Sequence, residues 1–258
     1  MPNETLAFGI DLSRYNTSAD DKVKVNFDII AAHDPEVAFI AMRAGVSWGY
    51  QDPWFAYYLA EAQRIERACL AYHVLYPGEP VGAQMDNFCR ILGDVDLSQV
   101  PLVLDLELDH GQSMGRITQA TSQAVTILTE RAGRIPLIYS RTSWIDAHLR
   151  VADLPPVHWW LAQYRWPRPY PLYTPEYPSP PTPLPIRVTD WTIHQTGSRG
   201  KSIGGASYFM DFNRWNGAKA DVLAFVGQTP KTALTCPVDH QACPRLFAED
   251  FQGEVRGL

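Results

Sequence analysis

The strongest constraint on the fold is a regular spacing of polar residues along the first part of the chain. Five apolar runs that read as β-strands each end in a polar residue, namely Asp11, Arg43, His73, Asp105 and Tyr139. The steps between these residues are 32, 30, 32 and 34 positions, each the length of one strand with its returning helix. Such units place their strands in parallel around a barrel and collect the strand ends on one face. The spacing therefore predicts five βα units with a site at their strand ends.

The regular spacing does not continue through the rest of the chain. The segment from Pro167 to Pro185 contains nine prolines, which exclude an ordinary helix. Only 16 residues separate Gln195 from Asp211, too few for a crossover helix. We predict an α/β fold, an irregular TIM-like barrel with five βα units followed by three strands lacking full crossover helices. The barrel would occupy residues 1–228, and residues 229–258 would form a tail of unknown role.

One predicted strand carries two neighbouring acids. Val100–Leu108 alternates apolar with other residues at a period of two, which indicates a β-strand. On such a strand Asp105 and Glu107 leave the same face, about 6–7 Å apart. At the end of a barrel strand the pair would lie in an active site, whereas an exposed edge strand could carry the same pattern by chance.

The composition disfavours several classes of partner. A net charge of −6 argues against binding to nucleic acid. No apolar run reaches the ~18 residues that a membrane span needs, so we predict no membrane insertion. We expect a monomer without a metal or other cofactor.

The four cysteines are too few for a disulfide scaffold in a chain of 258 residues. Cys69 and Cys89 lie in apolar or helical context, which predicts buried free thiols. Cys236 and Cys243 flank a short loop. They could form a disulfide or, with a spacing unlike that of typical zinc modules, a metal site.

Short motifs follow one another in a fixed order along the chain. They are Gly9-Ile-Asp11-Leu-Ser13, Phe39-Ile-Ala-Met-Arg43-Ala-Gly45, Ala71-Tyr72-His73, Leu104-Asp105-Leu-Glu107, Leu137-Ile-Tyr139-Ser140, Trp160-Leu-Ala-Gln163-Tyr164, His194-Gln195 and Met210-Asp211-Phe-Asn213-Arg-Trp-Asn-Gly217. Through them the chain resembles the glycoside hydrolase family 25 muramidases over about Phe8–Phe225. The resemblance implies an irregular barrel with three closing strands near antiparallel. It also implies cleavage of the β-1,4 bond from N-acetylmuramic acid to N-acetylglucosamine in bacterial peptidoglycan.

The resemblance implies that the catalytic acids are Asp11, Asp105, Glu107 and Asp211. Because crowded carboxylates repel, at least one pKa should rise enough for proton donation, and the resemblance gives that role to Glu107. Asp105 would stay ionised and stabilise the 2-acetamido group of the substrate as its oxygen attacks the anomeric carbon. Asp11 and Asp211 would position the substrate or tune these pKa values. The resemblance implies retention of configuration and leaves direct attack by an aspartate open.

A second set of residues would contact the sugar. They are Arg43, Tyr72, Tyr139, Gln163, Tyr164, Gln195 and Trp166. Tyr139, Tyr164 and Gln195 could instead be satisfied polar groups of the barrel interior, and Arg43 could simply pair with an acid. Residues 165–189 are predicted to form a polyproline-rich flap beside the cleft, with aromatic side chains available for stacking on sugar.

Two other functions fit part of the pattern. A chitinase-like hydrolase also ends a barrel strand with Asp-x-Glu, but it would carry further acids where Pro101 and Val103 stand. A non-catalytic barrel that binds cell-wall glycan would be expected to have lost an acid. The start of the first strand near Ala7 leaves no room for a secretory signal. We therefore expect a phage or prophage endolysin held in the host cytoplasm until release, with a removed signal as the alternative.

Overall fold

The computed structural model describes residues 6–164 and 183–228, and this part of the chain forms a β-barrel surrounded by helices. Its strands are β1 (Phe8–Leu12), β2 (Val37–Val46), β3 (Tyr50–Gln51), β4 (Ala68–Val74), β5 (Leu102–Asp105), β6 (Leu137–Arg141), β7 (His158–Ala162), β8 (Ile193–Lys201) and β9 (Phe209–Trp215). Its helices are α1 (Phe27–Ala31), α2 (Phe55–Arg64), α3 (Val81–Leu92), α4 (Met114–Ala132), α5 (Thr142–His148) and α6 (Lys219–Phe225). The first five βα units confirm the prediction from the spacing. No helix among the described residues is long and apolar enough to cross a membrane.

The barrel closes between β1 and its two neighbours. β1 is parallel to β2 and antiparallel to β9, and β3 adds a short hairpin to the edge of β2. The expectation that all three closing strands are near antiparallel is wrong for β7 and β8, which continue the parallel order. Of the links between the closing strands, the one from β8 to β9 reverses the chain, because it is too short for a crossover back to the opposite end of the barrel.

Local signals explain where the longest helix begins and ends. The hydroxyl of Ser113 accepts a hydrogen bond from the backbone N–H of Arg116 and caps the start of α4. Gly133 ends the helix with a φ of 65°, a left-handed conformation that glycine adopts without strain. The first helix, α1, is short and begins only after Asn26, whose side chain caps it.

Alternating residues of each strand face two different cores. Residues such as Cys69 and Ala71 of β4 pack outward against the helices, whereas Leu70 faces the interior of the barrel. The interior is apolar at the amino ends of the parallel strands, where Phe39 and Trp215 pack against each other and α6 covers that end. The opposite end of the interior is polar, and it contains the candidate site.

Candidate active site

Eight side chains line a cavity of about 120 Å³ at the polar end of the barrel. They are Asp11, Tyr72, Asp105, Glu107, Tyr139, Trp160, Gln195 and Asp211. The set includes the four acids that the sequence predicts. Asp211 lies near the start of β9 and not near its end, because β9 runs antiparallel and pairs Asp211 with Asp11 of β1.

The two acids of the Asp-x-Glu motif reach the cavity from different kinds of backbone. β5 ends at Asp105, which is buried, so Glu107 stands on the loop after the strand and is half-buried. The predicted strand to Leu108 is therefore too long. Leu106 still donates its N–H to the carbonyl of Tyr139, but the chain then leaves the sheet. Glu107 consequently lies nearer to solvent than Asp105.

A chain of hydrogen bonds orients the amide of Gln195 toward Asp11. The hydroxyls of Tyr139 and Tyr164 both donate to Gln195 Oε1, at 2.8 and 2.6 Å. The Nε2 group of the same amide donates to Asp11 Oδ2 at 2.9 Å. A carboxylate can only accept, whereas a tyrosine hydroxyl can donate or accept, so Asp11 fixes the direction of the amide and the two tyrosines donate to its oxygen.

Asn213 approaches the same oxygen from the neighbouring strand. The indole N–H of Trp160 donates to Asn213 Oδ1 at 2.9 Å, and Asn213 Nδ2 donates to Asp11 Oδ2 at 2.8 Å. An indole can only donate, so the orientation of the Asn213 amide is determined as well. Asp11 therefore receives two amide hydrogen bonds, an environment that suits a carboxylate.

Asp11, which is buried, and Asp211, which is half-buried, form a hydrogen-bonded pair of carboxyl groups. Burial raises the pKa of Asp11, while the hydrogen bonds from Asn213 and Gln195 oppose this increase. Loss of water and the adjacent charge of Asp11 raise the pKa of Asp211 well above its usual value. Because Asp11 receives the two amide donors, Asp211 is the carboxyl group of the pair that is favoured to carry a shared proton.

Asp105 has a different environment. Its Oδ1 is buried, and no group in the described part of the chain forms a hydrogen bond with it. Burial raises the pKa of Asp105 well above its usual value, as do the charges of Glu107 and Asp11, whereas the guanidinium groups of Arg43 and Arg141 act in the opposite direction. The net shift is opposite to the expectation that Asp105 stays ionised, because its carboxylate is withdrawn from water.

The sequence comparison with known families decides the class of enzyme. The family model described as glycosyl hydrolases family 25 matches residues 10–205. The chain belongs to this family. As a member of family 25 it is a glycoside hydrolase, and the acids that line the cavity are those that the motifs predict.

The chain is also similar to a curated bacterial protein and to solved structures. The uncharacterized protein YegX from Escherichia coli K12 is 26% identical over 237 residues, covering 90% of this chain and 78% of that protein. The family 25 lysozyme of Aspergillus fumigatus has a TM-score of 0.68 and 22% identity, covering 86% of this chain and 99% of the other. The muramidase of Trichobolus zukalii has a TM-score of 0.67 and 22% identity, covering 85% and 98%. The structural matches show that the fold is shared.

Three of the remaining predicted contacts, Arg43, Gln163 and Tyr164, are not among the residues that line the cavity. Arg43 Nε donates to the buried carboxylate of Asp52 at 2.8 Å, so the arginine pairs with an acid outside the predicted cluster. Tyr164 stands at the rim, 36% exposed. Gln163 binds the β8 strand through its backbone, and Trp166 lies outside the described residues.

Sequence reasoning missed three residues that shape the site. Asn213 and Trp160 occur in the quoted motifs but were not assigned a role, although Asn213 follows Asp211 by two positions and so shares its strand face. Asp52, the third, was assigned no role in the site, and it accepts from Arg43 as well as from the backbone N–H of Trp54. His73, which contributed to the regular spacing, is buried on the helix side of β4 against Phe88 and does not face the cavity.

Three further predictions have different outcomes. Cys69 is a buried free thiol, and burial raises its pKa to about 12, while Cys89 is free and half-buried. Cys236 and Cys243 lie outside the described residues. The same is true of most of the predicted flap and of the tail.

Proposed function

We propose that this chain is a muramidase that hydrolyses the β-1,4 bond between N-acetylmuramic acid and N-acetylglucosamine in bacterial peptidoglycan. The observation that carries the proposal is that Glu107 and Asp105 line one cavity with the proton-sharing pair of Asp11 and Asp211. Membership in family 25 supports hydrolysis of a glycoside. The similarity to proteins described as a lysozyme and a muramidase supports this particular bond.

The size of the cavity limits which part of the substrate can enter it. The volume of the cavity is only about 120 Å³. It can hold a substituent such as an acetamido group but not two sugar rings. Tyr72 and Trp160 present ring surfaces for the methyl group, and Asp105 Oδ1 is an available acceptor for the amide N–H.

The reaction then proceeds in two steps. Glu107 donates its proton to the glycosidic oxygen as the bond from that oxygen to the anomeric carbon breaks. The acetamido oxygen forms a bond to the anomeric carbon, and the carboxylate of Asp105 stabilises the resulting cationic ring through its N–H. Water then attacks the anomeric carbon, Glu107 accepts the proton of the water, and the acetamido group is restored. Two inversions give net retention, and direct attack by an aspartate is the alternative route.

The ionisation of Asp105 in this scheme depends on its neighbours. Arg43 and Arg141 act against the increase that burial causes in the pKa of Asp105. In the complex, the hydrogen bond from the acetamido N–H and the positive charge that forms on the ring would favour the ionised form of Asp105 further. Tyr139 and Gln195 make all their described hydrogen bonds within the network, which supports a positioning role for them and leaves Tyr72, Tyr164 and Arg43 as the proposed sugar contacts.

Product analysis tests the proposal directly. Purified protein is incubated with peptidoglycan, and the soluble fragments are analysed by mass spectrometry after reduction of their new ends. A reduced N-acetylmuramic acid end is the expected product. Reduced N-acetylglucosamine ends together with release of sugar from chitin would indicate a chitinase-like enzyme. Binding to the wall without any new ends would indicate a non-catalytic glycan-binding barrel.

The cellular location predicted from the sequence stays a prediction. Expression in a bacterium whose wall the protein digests provides the test. We expect the cells to survive until the membrane is permeabilised and then to lyse. Lysis without permeabilisation would contradict storage in the cytoplasm.

A further inference from the structure

A cationic aromatic surface adjoins the cavity on the side of β1 and β2. Tyr15 lies in the short turn after β1 and is 71% exposed, and Trp48 lies at the tip of the β2–β3 hairpin and is 60% exposed. The guanidinium of Arg43 lies between the rings of Tyr15 and Tyr50, with its carbon 5.1 and 5.7 Å from the ring centroids. Arg14 approaches Tyr15 at 5.8 Å. We call these five residues, Arg14, Tyr15, Arg43, Trp48 and Tyr50, the arginine wall.

Buried polar contacts hold the arginine wall in place. Asp52, with its side chain wholly buried, accepts from Arg43 Nε at 2.8 Å and from the backbone N–H of Arg14 at 3.0 Å. Asn87 of α3 donates to the backbone carbonyls of Ser47 and Tyr50, at 3.0 and 3.2 Å. The turn after β1 and the hairpin are therefore tied to the barrel, so exposed aromatic rings are presented on a rigid support.

The arginine wall is continuous with the site. Arg43 faces the barrel interior from β2, next to Tyr72, which lines the cavity. The four acids of the cavity make it a poor place for an anionic part of the substrate, whereas a carboxylate outside it would meet the guanidinium groups. Arginine binds carboxylates through two parallel hydrogen bonds, and the aromatic rings add apolar contact area.

We infer that the arginine wall binds a carboxylate of the peptide attached to the muramic acid residue, and so makes the enzyme prefer peptide-bearing glycan. The inference rests on the proposed function, because that function places the muramic acid residue at the bond that is cleaved. The peptide is attached to the lactyl group and extends away from the sugar ring. The peptide can therefore reach a surface outside the cavity while the acetamido group occupies the cavity.

The test compares two substrates and two single-charge variants. The substrates are soluble glycan strands with their peptides and the same strands after the peptides have been removed by an amidase, which leaves a free lactyl carboxylate. Arg14→Gln removes a cation from the arginine wall without touching the cavity lining. Arg64→Gln removes one at the far end of α2, where the arginine pairs with Glu61 and Asp28, and it serves as the matched control.

For Arg14→Gln we expect KM to rise about tenfold on peptide-bearing strands, kcat to change less than twofold, and KM on stripped strands to stay unchanged. The increase should shrink at high salt, and Arg64→Gln should behave as wild type on both substrates. An equal rise on both substrates would overturn the assignment to the peptide, and so would no change on either. If the wild-type protein cleaves neither substrate, the proposed function itself fails. Failure of the proposed function is therefore distinguishable from failure of the inference about the arginine wall.

Discussion

Asp11 and Asp105 are buried in the same cavity but have opposite surroundings. Asp11 accepts hydrogen bonds from Gln195 and Asn213 and shares a proton with Asp211. Asp105 Oδ1 has no hydrogen-bond partner within residues 6–164 and 183–228. A buried acceptor without a partner costs free energy, and such groups persist where a ligand supplies the missing bond. The comparison separates a carboxylate that organises the site from one that is available to substrate.

The largest expected effect tests whether Glu107, which shares the cavity with the substrate-accessible Asp105, donates the proton. Replacing Glu107 with Gln keeps the shape of the side chain but removes the acid proton, so activity on peptidoglycan should fall about 10²–10⁴-fold. The loss of turbidity in a cell-wall suspension measures this activity. Glu130→Gln, on the exposed face of α4, is the control and should keep full activity. Retention of more than about a tenth of the activity in Glu107→Gln would move proton donation to another acid.

The second prediction contrasts the stability of two isosteric variants. Asp11→Asn would turn an N–H group or a weaker acceptor toward two fixed amide donors, so the free energy of unfolding should drop by about 1–3 kcal/mol. Asp105→Asn should leave it unchanged or raise it, because a neutral amide is cheaper to bury than a carboxylate. Urea denaturation at pH 7 measures both. An equal loss in the two variants would remove the distinction between the carboxylates, whatever their activities.

The third prediction concerns the proton of the Asp211 pair. Loss of water and the adjacent charge of Asp11 raise its folded-state pKa well above the ordinary value of an aspartate, so the folded state keeps a proton that the unfolded state loses. That contribution to stability is complete below the unfolded pKa and is lost as pH rises through the folded pKa. The free energy of unfolding should therefore decrease with rising pH across this window. In Asp211→Asn the decrease should be smaller, and identical slopes for the two proteins would refute a protonated Asp211.

The smallest expected effect tests how Asp105 keeps its charge. Arg43 lowers the pKa of Asp105, so Arg43→Gln should raise that pKa and move the acidic limb of the pH–activity profile to higher pH. Arg43→Lys retains the charge and should restore most of the wild-type profile, even though it loses the planar contact with the tyrosine rings. A shift of equal size in both variants would assign the effect to packing and not to charge.

Much of the barrel was predictable because it depends on local periodicity. The interval of about 32 residues reflects the length of one βα unit. Asp11 and Asp105 lie at the ends of their strands and fit the same spacing, whereas the full set of four acids followed from the resemblance to family 25. The ends of strands were less predictable, and Glu107 was placed on a strand that stops at Asp105. Where a strand stops depends on its neighbours and not on its own alternation.

The sequence by itself determined the family, the five βα units and the identity of the acids, because strand alternation, unit length and motif order are all properties of the linear chain. Only the tertiary structure decided how those acids differ. The orientation of the Gln195 and Asn213 amides depends on the acceptor Asp11 and on the indole donor of Trp160, which lie 53 to 202 residues away along the chain. Likewise Asp52 meets Arg43 only because the β2–β3 hairpin folds back on β2. Burial and hydrogen-bond direction are set by residues distant in sequence, and these two quantities determine which carboxyl group holds a proton.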